Sequence, residues 1–215
     1  MGIKLNDRLF AGQLITQKQM KNIKIIAFLL LGLAASAKED TLSTSKNYLS
    51  IELDPAPFIL GGYSFSMKYS PSTLNHFTIT GSVYRSDFPD KMMKKSNFEK
   101  GFRDVKINTS YALFADYFLS DNRSGFHLGP SVFYYSKTIG INASKEAMNF
   151  KSIYPNLRVG YVYKPFRNSG FYLNPWVNVG KEIITSGQNY IAENEFSIDK
   201  FSYIVAIHFG YQVLF

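Results

Sequence analysis

The sequence predicts an all-β fold, an eight-stranded antiparallel up-and-down barrel. Three observations support this prediction. Apolar residues recur at every second position in eight segments, the period of a strand with two unlike faces. From the second strand onward, the connections between these segments alternate between short and long. The chain of 215 residues is long enough for one such domain.

The predicted strands are separated by turn residues and by three long polar segments. The first strand is short and ends at a proline-rich break, since proline cannot donate to a sheet ladder. The long connections span residues 86–104, 137–151 and 181–200. The eight predicted strands comprise residues 48–53, 59–69, 76–85, 105–119, 126–136, 153–163, 171–180 and 201–215.

The last predicted strand shows the alternation most clearly. One of its faces is apolar or aromatic at every position from Phe201 to Phe215, whereas the other face is mostly small or polar. Such a stripe is long enough to cross a hydrocarbon core as a tilted strand. A soluble protein seldom ends on an apolar edge strand, because such an edge invites aggregation. The segment therefore indicates a strand that faces lipid.

Charged residues in the middle of strands share one face. Lys106, Asp116 and Arg158 all lie opposite the apolar stripe of their strand. On a lipid-facing surface a basic residue at the bilayer midplane would cost roughly 2–4 kcal/mol. Lys68 lies near a strand end, where its side chain can reach water. The pattern predicts apolar residues outside and polar residues inside, although a soluble sandwich or lipocalin-like barrel would also alternate.

The N-terminal part of the chain has the layout of a secretory signal peptide. A short basic stretch, residues 20–24, precedes an apolar run at residues 25–33 and an A-x-A pattern at residues 35–37. The apolar run is shorter than the ~20 residues of a spanning helix, which argues against the alternative of a membrane anchor on a soluble domain. We expect a signal peptide at residues 1–37, with Met20 as an alternative start, and a disordered segment at residues 38–47.

The segment from Asn47 to Phe215 resembles small eight-stranded bacterial outer-membrane β-barrels, the OmpA, OmpX and PagP type of architecture. The leader, the alternating connections and the C-terminal FGYQVLF carry the resemblance. It implies an integral outer-membrane protein with both termini in the periplasm, and an even strand count that includes residues 48–53. It also implies a monomer assembled with periplasmic chaperones and the barrel-assembly machinery. That machinery would read the terminal strand through Phe209, Tyr211, Val213 and Phe215.

Composition excludes several functions. The chain has no cysteine, so a disulfide framework, a thiol nucleophile and a thiolate metal site are impossible. Its net charge of +8 comes partly from the leader, and no dense basic block with interleaved aromatic residues follows. Nucleic-acid binding is therefore not expected.

The interior of an eight-stranded barrel is just filled by side chains, so a wide pore is not expected. Glu52, Lys106, Asp116 and Arg158 share the inward face and are predicted to form an ion-pair network in the lumen. A proton or ion path is the alternative. His76, His127 and His208 can in principle bind zinc or act as a base, but they come from different strands. No cofactor or metal site is predicted.

The sequence favours a non-enzymatic outer-membrane barrel, structural or surface-interacting through its three long loops. A lysine-rich loop is a candidate contact for lipopolysaccharide phosphates, or else a solvated loop, through Lys91, Lys94, Lys95 and Lys100. An enzyme that modifies lipid A or phospholipid is the first alternative, although His76 with Thr78 and His127 with Ser131 form no His-Ser-acid set. A narrow channel is the second alternative.

Overall fold

A computed structural model describes residues 46–141, 144–166, 169–191 and 193–214. The predicted signal peptide and Phe215 lie outside these residues. Within them, no helix is both long and apolar enough to cross a membrane. Two short helices, α1 (Pro55–Ile59) and α2 (Lys95–Glu99), and a 3-10 turn at Asp90–Met92 accompany the strands. The strands are β1 (Tyr48–Leu53), β2 (Tyr63–Ser70), β3 (Phe77–Phe88), β4 (Phe102–Phe118), β5 (Gly125–Ile141), β6 (Ser144–Val162), β7 (Phe171–Gly180), β8 (Ile183–Gly187), β9 (Tyr190–Ile191), β10 (Asn194–Glu195) and β11 (Ser202–Leu214).

Eight of the described strands close into a barrel. Strands β1 to β7 pair in chain order, and β11 completes the ring between β7 and β1. Each of these pairings is antiparallel, as the sequence predicts. Tyr48 lies opposite Leu214, so the two ends of the barrel segment meet at the end that carries the short connections. We call this the short-turn end and the opposite one the loop end.

The barrel wall is apolar outside and polar inside. In β2 the outward side chains are aromatic or apolar, whereas Ser64, Ser66, Lys68 and Ser70 point inward and are buried. The same division runs through the other wall strands. Leu157 is 70% exposed on the outer face, whereas Arg158 beside it is 0% exposed. This distribution confirms the predicted faces and reverses that of a soluble barrel.

The predicted loop at residues 137–151 is wrong. Here β5 continues to Ile141 and β6 begins at Ser144, and the two strands pair as a long hairpin. The hairpin is ordered beyond the wall because Ile139, Met148 and Phe150 alternate along it and pack with Phe102 and Ile191. Residues 181–200 likewise contain β8, β9 and β10 rather than only a loop.

The segment after β1 also differs from the prediction. Residues 55–59 form α1, and β2 begins at Tyr63 rather than at residue 59. Asp54 caps the helix by accepting a 3.0 Å hydrogen bond from the Ala56 amide, and a proline follows in the first turn. The first turn of α1 thus begins with a capping carboxylate and a proline, the residues that favour a helix N-terminus.

Lys106 lies outside the barrel lumen, so its predicted place in the internal network is wrong. The pairing of β4 with β5 shifts register between Arg103 and Lys106 and again between Ile107 and Thr109. A bulge adds an unpaired residue and reverses which face the following side chains occupy. Ile107 is therefore buried and Lys106 exposed, whereas regular alternation from the centre of the strand predicts the reverse.

Two inward-facing glycines make room for rings on neighbouring strands. A Cβ at Gly210 would lie 2.2 Å from the ring of Tyr172 on β7. A Cβ at Gly160 would lie 2.4 Å from the imidazole of His127 on β5. Each ring therefore lies directly over the neighbouring backbone, which narrows the lumen at these heights.

We expect Gly210→Ala to destabilise the barrel by about 1–3 kcal/mol, because the added methyl overpacks against Tyr172. Urea unfolding of the refolded protein measures the change. Gly81→Ala is the matched control, since a Cβ at that position meets no described atom within 4 Å. Adding Tyr172→Ala to Gly210→Ala should cost less than the two single changes combined. Equal effects at Gly81 and Gly210 would contradict the close approach.

Candidate functional site

Several side chains in the lumen contact one buried carboxylate on β1. Glu52 forms an ion pair with Lys68 on β2, and neither side chain is more than 5% exposed. The hydroxyl of Tyr172 donates to Glu52 Oε1 over 2.7 Å, and the ring of His208 lies 2.8 Å from Oε2. Side chains from β2, β7 and β11 thus converge on one carboxylate of β1. These contacts link β1 to strands on both of its sides.

A second buried pair lies further around the wall. Arg158 on β6 binds both carboxylate oxygens of Asp116 on β4, through Nε at 3.1 Å and through Nη2. Both residues are 0% exposed. The imidazole of His127 lies 3.4 Å from Asp116 Oδ1. The bidentate geometry is the strong form of an arginine–carboxylate contact.

Asn174 on β7 joins the two pairs. Its Oδ1 lies 2.9 Å from His127 Nε2, and its Nδ2 donates to Glu52 Oε1 over 3.3 Å. A continuous polar chain therefore crosses the lumen from Lys68 to Arg158. We call it the lumen network. Its two cationic groups and two carboxylates balance, which buried charges require because burial removes their hydration.

The lumen network overlaps the set predicted from the sequence without matching it. Glu52, Asp116 and Arg158 lie in it, and Lys68 occupies the place predicted for Lys106. The sequence analysis placed the Lys68 side chain in water near a strand end, whereas it is buried in the lumen. Its position on the same face as Ser64 and Ser66 is the sequence feature that indicates an inward side chain. Which carboxylate it would meet depends on strand register, which the sequence does not state.

An aromatic cluster lies in the lumen on the loop-end side of the lumen network. Phe114, Phe133, Tyr154 and Trp176 belong to one buried cluster and come from four strands. The guanidinium of Arg158 lies 4.0 Å from the centre of the Phe114 ring, within the range of a cation–π contact. The lumen network and the aromatic cluster therefore touch, and together they occupy the middle of the barrel.

The three histidines have separate environments. Nδ1 of His76 lies 2.8 Å from the Phe118 carbonyl, and its Nε2 lies 2.7 Å from Asp121 at the short-turn end. His127 and His208 belong to the lumen network. Among the described residues, no three His, Asp or Glu side chains form a metal-binding group. The hydroxyl of Ser131, the candidate partner of His127, donates instead to Asn156.

Arg123 was not identified from the sequence. It sits in the short turn between β4 and β5, and its guanidinium donates to the Asn75 carbonyl over 2.9 Å and to the Pro71 carbonyl. It also donates to the Lys46 carbonyl ahead of β1. Burial lowers the pKa of Arg123 from its usual value. Arg123 therefore links its own turn to the turn at residues 71–75 and to the segment before β1. A basic residue in a short turn is common, so the sequence does not indicate this role.

Three of the predicted loop lysines have partners within the chain. Lys94 lies 2.6 Å from Asp199, and Lys100 donates to the Glu195 carbonyl over 2.7 Å. Lys95 is largely exposed and lies 3.6 Å from Glu99 one helical turn on. The side chain of Lys91 lies outside the described part of the chain. Lys94 and Lys100 thus hold two segments of the loop end together.

The terminal strand presents its apolar stripe outward. Phe209, Tyr211 and Val213 are 44%, 56% and 46% exposed on the outer face of β11, near the short-turn end. Phe215 lies outside the described residues. The role of these four residues in barrel assembly stays a prediction.

We expect Asp116→Ala to destabilise the barrel by about 3–5 kcal/mol, because it leaves the Arg158 guanidinium buried and uncompensated. The double variant Asp116→Leu/Arg158→Met removes both charges and should recover most of this loss. Urea unfolding measures both, with Lys106→Met as the control at an exposed position. A double variant no more stable than Asp116→Ala would contradict charge compensation as the reason for the pair.

No family model and no curated protein sequence matches the chain. Three solved barrel structures are similar to it. The N-terminal β-barrel domain of Pseudomonas aeruginosa OprF is 12% identical, with a TM-score of 0.45 over 78% of this chain and 98% of that one. Neisserial surface protein A is 13% identical, with a TM-score of 0.40 over 80% and 98%. Ail, the attachment invasion locus protein of Yersinia pestis, is 11% identical, with a TM-score of 0.41 over 79% and 99%.

At these identities the likeness concerns the strand arrangement and does not extend to function. Strand number, cyclic antiparallel pairing and an apolar outer wall are properties of this chain's own coordinates. The chain therefore has the architecture that the sequence resemblance predicted, that of a small eight-stranded barrel of the outer-membrane type.

Proposed function

We propose that this chain is an integral bacterial outer-membrane protein without enzymatic activity, which is structural or binds surface molecules through its loop end. One observation carries the proposal: the wall is apolar on its outer face and polar within. Leu113, Ile79 and Val159 are each at least 50% exposed along the middle of the barrel. In water such a surface would promote aggregation, whereas in a bilayer it contacts the hydrocarbon chains of the lipid.

The asymmetry of the two barrel ends supports an orientation. The short-turn end holds compact connections and both ends of the barrel segment, whereas the loop end holds α1, α2 and the β5–β6 hairpin. In bacterial outer-membrane barrels the turns on the periplasmic side are short and the outer loops long. We assign the short-turn end to the periplasm on this basis, and the loop end to the cell surface.

The side chains that block the middle of the lumen support a role other than an open pore. The lumen network joins strands on opposite sides of the barrel, and the aromatic cluster packs against it. The described histidines serve this network or bond to the short-turn end, rather than activating a serine or threonine hydroxyl. These contacts favour a structural role for the charged residues and histidines of the lumen over a role in catalysis or conduction.

The partners follow from the location. Outer-membrane lipid would contact the apolar wall, and lipopolysaccharide would surround the loop end, where the side chain of Lys95 is 77% exposed. During biogenesis the barrel-assembly machinery and periplasmic chaperones would handle the chain, with the terminal strand as the signal. A monomer satisfies this proposal, because closure of the ring leaves no wall strand unpaired.

We expect Leu113→Arg to destabilise the barrel by about 2–4 kcal/mol in lipid vesicles, although the side chain is exposed. The reason is the cost of placing a guanidinium in hydrocarbon. Ala147→Arg, exposed on the part of β6 beyond the wall, is the matched control and should change the unfolding free energy by less than about 0.5 kcal/mol. Equal tolerance of arginine at both positions would sink the lipid-facing assignment.

Gel migration provides the complementary test of the barrel class. The folded protein, extracted from outer membranes without boiling, should migrate differently from the boiled sample. The same preparation should release no acyl chains from labelled lipid A and show no discrete conductance steps in planar bilayers. Acyl release lost in His76→Ala or His127→Ala would instead establish the enzymatic alternative.

A further inference from the structure

A cavity of about 560 Å³ lies between the aromatic cluster and the loop end. Its volume falls in the range of small-molecule sites, roughly 300–1,000 Å³. Phe114, Trp176 and His208 line it from the barrel, and Met93, Asn97 and Ile198 line it from the loop end. The sequence-based expectation of a lumen filled throughout by side chains is therefore wrong in this part of the barrel.

The roof of the cavity is a defined structure. Asn97 is 1% exposed and exchanges two hydrogen bonds with Ser197, of 2.9 Å from its Nδ2 and 2.8 Å to its Oδ1. The ion pair between Lys94 and Asp199 lies on the same two segments. These contacts hold the α2 region to residues 196–199 across about a hundred residues of sequence. The roof is thus built by specific pairing rather than by chance proximity.

Two residues that line the cavity each carry a buried polar atom without a described partner. Trp176 is 4% exposed, and its Nε1 has no hydrogen-bond partner among the described residues. Ser86 is 2% exposed, and its hydroxyl likewise has no partner within the described part of the chain. A buried donor without a partner costs about 1–3 kcal/mol, so an occupant whose oxygen reaches either donor would gain by accepting its hydrogen bond.

The charges that line the cavity are already paired. Lys137 lies 2.5 Å from Glu182, Lys94 lies 2.6 Å from Asp199, and Asp54 caps α1. No lysine or arginine among the described lining residues is left to neutralise an anion. A carboxylate or phosphate in this cavity would therefore lose its hydration without gaining a counter-charge.

We propose that this cavity binds an uncharged apolar molecule that carries a hydroxyl or carbonyl oxygen. The oxygen accepts from the Trp176 indole, and the apolar body packs between the aromatic cluster and the roof. A molecule of one or two fused rings fits the volume. The site goes beyond the proposed structural role; it shares His208 with the lumen network, which forms its floor.

Trp176 is the only tryptophan of the chain, so its fluorescence reports on this cavity alone. The experiment titrates the protein, refolded in phosphatidylcholine vesicles, with a bromonaphthol whose bromine quenches tryptophan at contact. We expect saturable one-to-one quenching. A bromonaphthoate of the same size, charged at neutral pH, should bind at least about tenfold more weakly because its carboxylate finds no counter-charge.

Filling the cavity separates specific binding from partition into lipid. Ala206→Phe, on the inner face of β11, should weaken bromonaphthol binding by roughly tenfold through overpacking. Ile207→Phe places the same ring one residue away on the outer face and should leave binding unchanged. Ser86→Phe is the second filling variant if Ala206→Phe does not refold, since it breaks no hydrogen bond described for Ser86.

Two results would overturn the proposal. Quenching that does not saturate and is equal in the parent, the filling variants and Ile207→Phe would mean that the cavity holds water only. Bromonaphthoate binding as tightly as bromonaphthol would mean that the site recognises an anion. Either result leaves the outer-membrane location intact, because that location is judged by Leu113→Arg and by gel migration.

Discussion

Closure of the hydrogen-bonded ring is the constraint on which the remaining structure depends. Lipid offers no partners to backbone amides and carbonyls, so a strand in hydrocarbon must be paired on both sides. The seam between β1 and β11 satisfies this with six residue pairs, from Tyr48 opposite Leu214 to Leu53 opposite Phe209. Once the ring is closed, every inward side chain shares one narrow interior. The polar lumen is thus a consequence of closure as much as of composition.

The lumen is filled in two different ways. Near Glu52 and Asp116, ion pairs link neighbouring strands or strands one apart. The absence of a side chain at Gly210 and Gly160 lets rings lie over the backbone there. Toward the loop end, aromatic rings replace charge, and the Arg158 guanidinium over Phe114 joins the two regions. A buried charge needs a partner, whereas an aromatic ring needs only contact. This difference explains why space remains at the aromatic end and not among the ion pairs.

Much of the fold could be predicted from the sequence because period-two alternation depends only on local geometry. The eight wall strands and their outer faces follow from it, as in β2, where aromatic or apolar residues alternate with polar ones throughout. The errors arose where local geometry changes. Bulges in β4 exchange the faces of Lys106 and Ile107, and no proline or glycine in that stretch announces them. The β5–β6 hairpin was missed because its apolar residues are sparse and pack against Phe102 and Ile191, which are distant in sequence.

The lumen network was only partly predictable for the same reason. Parity shows that Glu52, Asp116 and Arg158 face inward, but partner choice depends on the height of each residue in the closed ring. Lys68 meets Glu52 because β2 pairs with β1 so that Ser66 lies opposite Glu52 and Lys68 lies one inward position away. The cavity is less predictable still, because it exists where side chains from seven wall strands fail to fill a shared volume. The kind of ligand that the cavity would bind nevertheless follows from the lumen network beneath it. The charges of this network are paired with one another, so recognition in the cavity depends on shape and on the indole N–H of Trp176.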